Sequence, residues 1–148
     1  MKILFLDDER YRHNHIRRST KGKEENITHI WDGLSAIKEL QNNLFDLIML
    51  DHDLGIENGK EEVCGLDVAK SIIAMGDRHK NATIVIHSLN PIGAKNMFLT
   101  LDREGFDVYE IPHAWMMLEY RANNLVIDTT KKTDSKKMRE VELDDELW

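Results

Sequence analysis

A chain of 148 residues is long enough for one domain with a sizeable core, without disulfides or structural metal. With 41% hydrophobic and 32% charged residues and a formal net charge of −7, it argues against a broad grip on nucleic-acid backbone, which needs clustered Lys and Arg. A small phosphorylated ligand, held by local charges, stays open. The single cysteine, Cys64, rules out an internal disulfide and a multi-cysteine zinc site, and reads as a packing residue.

In chain order, Ile3 to Leu6 is the first short apolar run, and Asp7-Asp8-Glu9-Arg10 follow it. Six residues are too few for a signal peptide, and no apolar run approaches the roughly 20 residues that span a bilayer, so a cytoplasmic protein is expected. Tyr11 to Arg18 is a weak helical pattern with few apolar positions, carrying His13 and His15. Ile27 to Trp31 is the second run, with His29 inside it as a core or edge residue. Asp32-Gly33 and Ser35 then start a helix whose apolar face is Ala36, Ile37 and Leu40.

Leu47 to Leu50 is the third run and leads into Asp51-His52-Asp53, followed by a long polar loop from Gly55 to Glu62. Leu66, Val68, Ala69, Ile72, Ile73 and Met75 give a second helical face, closed by Gly76; His79 falls in a polar turn, where it reads as solvated. Thr83 to Ile86 is the fourth run, ending in His87-Ser88-Leu89-Asn90. Ala94, Met97, Phe98 and Leu101 mark a third helix ending near Gly105. Phe106 to Ile111 is the fifth run, with Pro112 and His113 after it. Ala114 to Ala122, with Trp115, Met116, Leu118 and Tyr120, reads as a fourth helix. Lys131 to Trp148 is rich in Lys, Asp and Glu, and reads as a solvated tail or as a segment whose Val141, Leu143, Leu147 and Trp148 dock on the domain or on a second copy in a homodimer. The division expected is a domain over 1–124 and a charged extension over 125–148.

Strands alternating with helices imply right-handed crossovers and a doubly wound α/β fold. Five strands favour the flavodoxin-like parallel sheet of order 2-1-3-4-5, whose ligands bind beyond the carboxyl ends of the strands. That order makes strands one, three and four neighbours, so Asp7, Asp8, Asp51, Asp53, His87, Ser88 and Asn90 converge. Carboxylates on adjacent strand ends repel unless a cation sits among them. Oxygen donors of this kind suit Mg²⁺ (or Mn²⁺) shared with phosphate oxygens. The bland alternative, acids that merely cap helices, accounts for one such residue more easily than for four.

The acidic pair after strand one, the aspartate ending strand three and the hydroxyl ending strand four resemble the response-regulator receiver domain over about Lys2 to Asn123. The resemblance implies that Asp7 and Asp8 are the metal-binding pair and that Asp51 is phosphoacceptor and metal ligand. It implies also that Asp53 lends its carbonyl to the metal and Ser88 its hydroxyl to a phosphoryl group. The chain departs from that pattern at strand five, where Ile111-Pro112 stand in place of a Lys-Pro pair. Its Asp-His-Asp-Leu-Gly and His-Ser-x-Asn-Pro-x-Gly segments instead resemble the divergent cyclic-phosphate-processing receiver branch.

Three functions follow as expectations. The first is a metal-dependent phosphoesterase acting on a cyclic phosphate, such as an RNA-terminal 2′,3′-cyclic phosphate or a cyclic nucleotide. In it Asp7, Asp8 and Asp51 hold the metal, His87 or His52 protonates the leaving oxygen, and Ser88, Asn90 and Arg10 position the phosphate. A variant uses Asp51 as nucleophile and Asp53 as acid/base. The second is a signalling receiver phosphorylated on Asp51, against which the loss of the lysine weighs. The third is a non-catalytic binder of a cyclic nucleotide. Strand alternation could also turn His52 or His87 away from the pocket, and Arg10 could be an ordinary helix-surface residue.

Overall fold

Three short apolar strands lie wholly or nearly wholly inside the protein, β1 (Ile3–Leu6), β3 (Leu47–Leu50) and β6 (Thr83–Ile86), and a fourth, β2 (Ile27–Ile30), is half-buried at an edge. A fifth, β7 (Asp107–Glu110), closes one edge, and all pair in parallel in the order β2-β1-β3-β6-β7. Counting only these five, the order is 2-1-3-4-5, as the sequence pattern predicts. The computed structural model describes residues 1–20, 26–57, 60, 61, 63–111, 118–121 and 124–127.

Strand alternation divides the core into two layers. Leu4, Leu6, Ile48, Leu50, Ile84 and Ile86 face α2 (Gly33–Asn42), α3 (Gly65–Ala74) and α4 (Pro91–Arg103). Ile3, Phe5, Leu47, Met49 and Val85 face the other way, toward Ile16 of α1 (Arg10–Ser19) and toward Ile111. Each of these large side chains contributes about 1.5–3 kcal/mol through burial.

Local signals set the helix ends. The Asp32 carboxylate accepts from the Ser35 backbone N–H at 2.8 Å and caps α2. Asn90 does the same for α4 through Gly93 N–H at 3.0 Å, with Pro91 at the first helical position. Cys64 is the N-cap of α3, only partly buried, and its N–H donates to Asp67 at 3.0 Å; its place is at a helix start rather than in the packed core. At Gly65 a Cβ would stand 2.0 Å from the Asp51 carbonyl oxygen, so glycine is what lets α3 begin against the end of β3.

Three expectations change. The polar stretch after Gly55 contains a small antiparallel pair, β4 (Ile56–Glu57) with β5 (Lys60–Glu61). Leu118–Arg121, expected in a helix over 114–122, is instead a strand, β8, paired antiparallel with β9 (Asn124–Ile127). Leu-Glu-Tyr-Arg alternates with period two, and the register sets Arg121 opposite Asn124 with two residues between them, the spacing of a tight hairpin. β9 also runs across the boundary drawn at 124/125. Residues 114–117, Ala122, His113 and 131–148 lie outside the described residues. Lastly, His79 is buried, not solvated: its Nε2 donates to the Leu40 carbonyl at 2.8 Å, tying the turn to the end of α2. Among the described residues, no helix is long and apolar enough to cross a membrane.

Candidate metal and phosphate site

Directly beyond the last paired residues Leu6, Leu50 and Ile86, the chain places Asp7, Asp51 and His87 at one level on three adjacent strands. All three are buried. Asp8, one residue on, is exposed, yet one carboxylate oxygen from each of Asp7, Asp8 and Asp51 lies within 4.8 Å of the others. Beside them opens a cleft of about 270 Å³ lined by Asp8, Glu9, Arg12, Asp51, Asp53 and, in the loop after β6, Ser88, Leu89 and Asn90.

The electrostatics are those of crowded acids. Burial, then the charge of Asp51, pushes Asp7 up to about 7. Burial also raises Asp51, against the opposing pull of the His52 N–H, Arg12 and the Ser88 hydroxyl. Asp8 is raised by burial and by Glu9. Asp53 goes the other way: His52 Nδ1 donates to its Oδ1 at 2.8 Å and Asn90 Nδ2 at 3.3 Å, and the bond from His52 holds it below the usual carboxylate range. Three acids that resist ionising together, all with hard oxygen donors, fit a divalent cation such as Mg²⁺.

Not every predicted residue reaches the cleft. Ser88, Asn90, Asp53, Asp51 and Asp8 line it; His52 stands at its edge through Asp53. The His52 ring also packs over Gly93, where a Cβ would come within 2.5 Å of it, so the glycine of the His-Ser-x-Asn-Pro-x-Gly segment makes room for the histidine of the other segment. Arg10 is exposed at the first position of α1 and is not among the lining residues.

His87 lies off the cleft. Alternation along β6 turns it to the α1 face with Val85, where its ring stacks on Phe5 at 4.9 Å and its Nδ1 sits 3.5 Å from Asp7 Oδ2, fully buried beneath the carboxylates. A group there supports Asp7 from below and does not reach a leaving oxygen in the cleft. His87→Ala is therefore expected to remove about 3 kcal/mol of stability by emptying an aromatic-sized space. Urea denaturation measures this, and a wild-type midpoint would contradict the packing role.

The cation that the sequence reading missed is Arg12. Its Nη1 lies 3.1 Å from Asp7 Oδ2 and 3.3 Å from Asp51 Oδ2, with both carboxylates and the guanidinium buried. The clue was present: Arg12, His13 and Ile16 form the inward face of α1, and Arg10 precedes it. Ile111, at the place of the receiver lysine, is packed with Met49 and Val85.

A second support reaches the site from the same α1 side. His13 Nε2 lies 2.7 Å from the Asp7 carbonyl and its Nδ1 2.6 Å from His29 Nδ1. Burial keeps both rings neutral, so His13 Nε2 donates to the carbonyl and its Nδ1 accepts from His29 Nδ1–H. Burial lowers the pKa of each, His29 to about 4. Trp31 stacks on His13 at 3.7 Å.

A parallel sheet of this order with acids at the ends of its first and third strands defines the receiver class. The family described as "Cyclic-phosphate processing Receiver domain" matches residues 2–103, and the chain belongs to that family. No curated protein matches it. Among solved structures, a response regulator from Burkholderia pseudomallei, with a phosphorylated aspartic acid, calcium ion and citrate, superposes with a TM-score of 0.58 at 15% identity, over 98% of this chain and 74% of that one. The receiver domain of the sensor histidine kinase PA1611 from Pseudomonas aeruginosa, with magnesium in its active-site cleft, gives 0.56 at 16%, over 75% and 83%. The receiver domain of a Luxo repressor protein from Vibrio parahaemolyticus gives 0.54 at 16%, over 96% and 86%. At these identities the likeness is one of fold.

Proposed function

We propose that the chain is a divalent-metal-dependent phosphoesterase that opens a cyclic phosphate, such as an RNA-terminal 2′,3′-cyclic phosphate or a cyclic nucleotide. The observation that carries this is the cleft itself. Asp8 and Asp51 line it with buried Asp7 directly behind them, one oxygen of each within 4.8 Å of the others, Ser88 and Asn90 line it from the loop after β6, and an isoleucine stands where a phosphorylation-reading lysine would be. Asp7, Asp8 and Asp51 would hold Mg²⁺ or Mn²⁺, which when bound supplies Lewis-acid polarisation of a phosphate oxygen.

The remaining work belongs to the chain's own groups. Ser88, whose Oγ accepts from Asn90 N–H at 3.1 Å, binds a phosphate oxygen through its hydroxyl hydrogen. Asp53, held ionised at the rim by His52 and Asn90, accepts a proton from the water that attacks phosphorus. One ring P–O bond breaks, its oxygen takes a proton from solvent at the open mouth, and a phosphomonoester results. Asn90 has its amide committed to Asp53 and to the α4 cap, so it positions rather than binds. His52 is likewise a positioning residue.

Incubation with a panel of 2′,3′-cyclic and 3′,5′-cyclic phosphates with Mg²⁺ or Mn²⁺, read by phosphorus NMR, tests this. Appearance of a monoester resonance with wild type and its absence with Asp51→Asn is the expected result. A second reading, a signalling receiver, rests on Asp51 standing beside the Ser88 hydroxyl as a phosphoacceptor would. No turnover on the panel, together with Asp51-dependent labelling by acetyl phosphate, would favour it.

A further inference from the structure

Among the described residues Arg12 is the one cation that lines the cleft, and it sits where it conflicts with the proposed metal. Its Nη1 is within 3.3 Å of an oxygen on both Asp7 and Asp51, two of the three carboxylates that would hold the ion. A guanidinium and a divalent cation cannot share those oxygens at that range, because their like charges repel across a poorly screened, buried site. Yet without a cation, two buried carboxylates on neighbouring strands would face each other uncompensated.

We infer that Arg12 is a displaceable internal counter-ion: it neutralises Asp7 and Asp51 in the metal-free chain and, when a divalent cation takes those oxygens, turns into the cleft and binds the phosphate. This rests on the phosphoesterase reading's metal site. The geometry of its tether allows the turn. Arg12 Nε donates to Tyr11 Oη at 3.1 Å and the guanidinium lies over the Tyr11 ring at 5.3 Å, while Tyr11 is 56% exposed. Nε is thus tied to an exposed tyrosine while Nη1 alone makes the contacts to the buried carboxylates, so the head can exchange those contacts with its tether kept. Its fork of N–H donors matches a phosphate in two-point contact as well as it matches a carboxylate. The cleft it lines also contains Ser88, Leu89 and Asn90, the wall assigned to phosphate. A device of this kind makes phosphate binding depend on metal loading, and it places a cation on the ligand although Ile111 supplies none.

Calorimetric titration of Arg12→Gln tests the inference by the sign of two effects. Removing the competitor should tighten Mg²⁺ binding roughly tenfold, and removing the clamp should weaken inorganic phosphate binding at saturating Mg²⁺ roughly tenfold, each on the scale of one charged hydrogen bond. A merely structural arginine would move both affinities in the same direction, and that result would overturn the inference. Mg²⁺ binding unchanged by the substitution overturns the role of Arg12 alone; no Mg²⁺ binding in either protein overturns the metal site and Arg12's role with it. Should the variant not fold, the Arg12 Nε–H resonance of the wild-type chain gives the same decision. It should shift on adding Mg²⁺ and shift again on adding phosphate, and a resonance that ignores Mg²⁺ would contradict displacement.

Discussion

Asp51→Asn is expected to abolish divalent-cation binding and to lower hydrolysis of a cyclic phosphate by roughly 10³-fold or more, the scale of losing preorganised charge at a reacting phosphate. Asp8→Asn should act similarly on the metal. Neither substitution should unfold the chain. Asp51 and Asp8 are held above the ordinary carboxylate pKa chiefly by burial, so their charged forms weigh against the fold. A carboxyl with a raised folded pKa destabilises least below its unfolded pKa of about 4 and most once pH has risen through the folded value. For Asp7 that window runs from 3.8 to about 7. The metal-free wild type should thus be less stable at pH 8 than at pH 5, and the amide variants should flatten that slope and melt higher at pH 8. For Asp51 the gain is partly offset, since Arg12 loses one of its two partners. Thermal melts at the two pH values, in chelator, measure this; a variant that melts lower than wild type at pH 8 would contradict the repulsion.

Gly65→Ala should have the largest effect on stability of any single methyl added to this chain's site. The new Cβ would lie 2.0 Å from the Asp51 carbonyl oxygen, 2.7 Å from His52 Cα and 2.9 Å from the Asp51 carbonyl carbon. These are backbone atoms, which cannot rotate aside as a side chain would. Either α3 lifts from the end of β3, exposing Val68, Ala69 and Ile72, or β3 itself shifts and carries Asp51 with it. A loss of about 3 kcal/mol or more is expected, the upper range for overpacking, with weakened Mg²⁺ binding beside it. Urea denaturation and calorimetry read the two effects, and a variant within about 0.5 kcal/mol of wild type would show the contact to be relieved at no cost.

The fold was legible because its information is local and periodic. Leu-Ile-Met-Leu and Thr-Ile-Val-Ile read as strands covered on both faces, and Asp32 and Gly76 mark where α2 begins and α3 has ended. The convergence of Asp7, Asp8, Asp51, Asp53 and Ser88 followed from strand order alone. What escaped depends on which way a residue points just outside an element. His87 is one residue beyond β6, and pattern alone does not say whether alternation continues through it; it does, and the ring goes under the sheet. Arg10 and Arg12 are both cations after the acidic pair, and only the phase of α1 separates an exposed one from the one between the carboxylates. The Leu118–Arg121 strand was mistaken for helix because a four-residue amphipathic run satisfies either period until its partner strand is considered.

The central claim, that one cleft takes a divalent cation and a phosphate together, is tested most directly by titrating Mg²⁺ into the wild-type chain with and without inorganic phosphate. Mg²⁺ should bind at one site per chain, roughly tenfold more tightly when phosphate is present, because each ligand supplies charge that the other needs. One-site binding that phosphate leaves unchanged, or that survives Asp51→Asn, would contradict it.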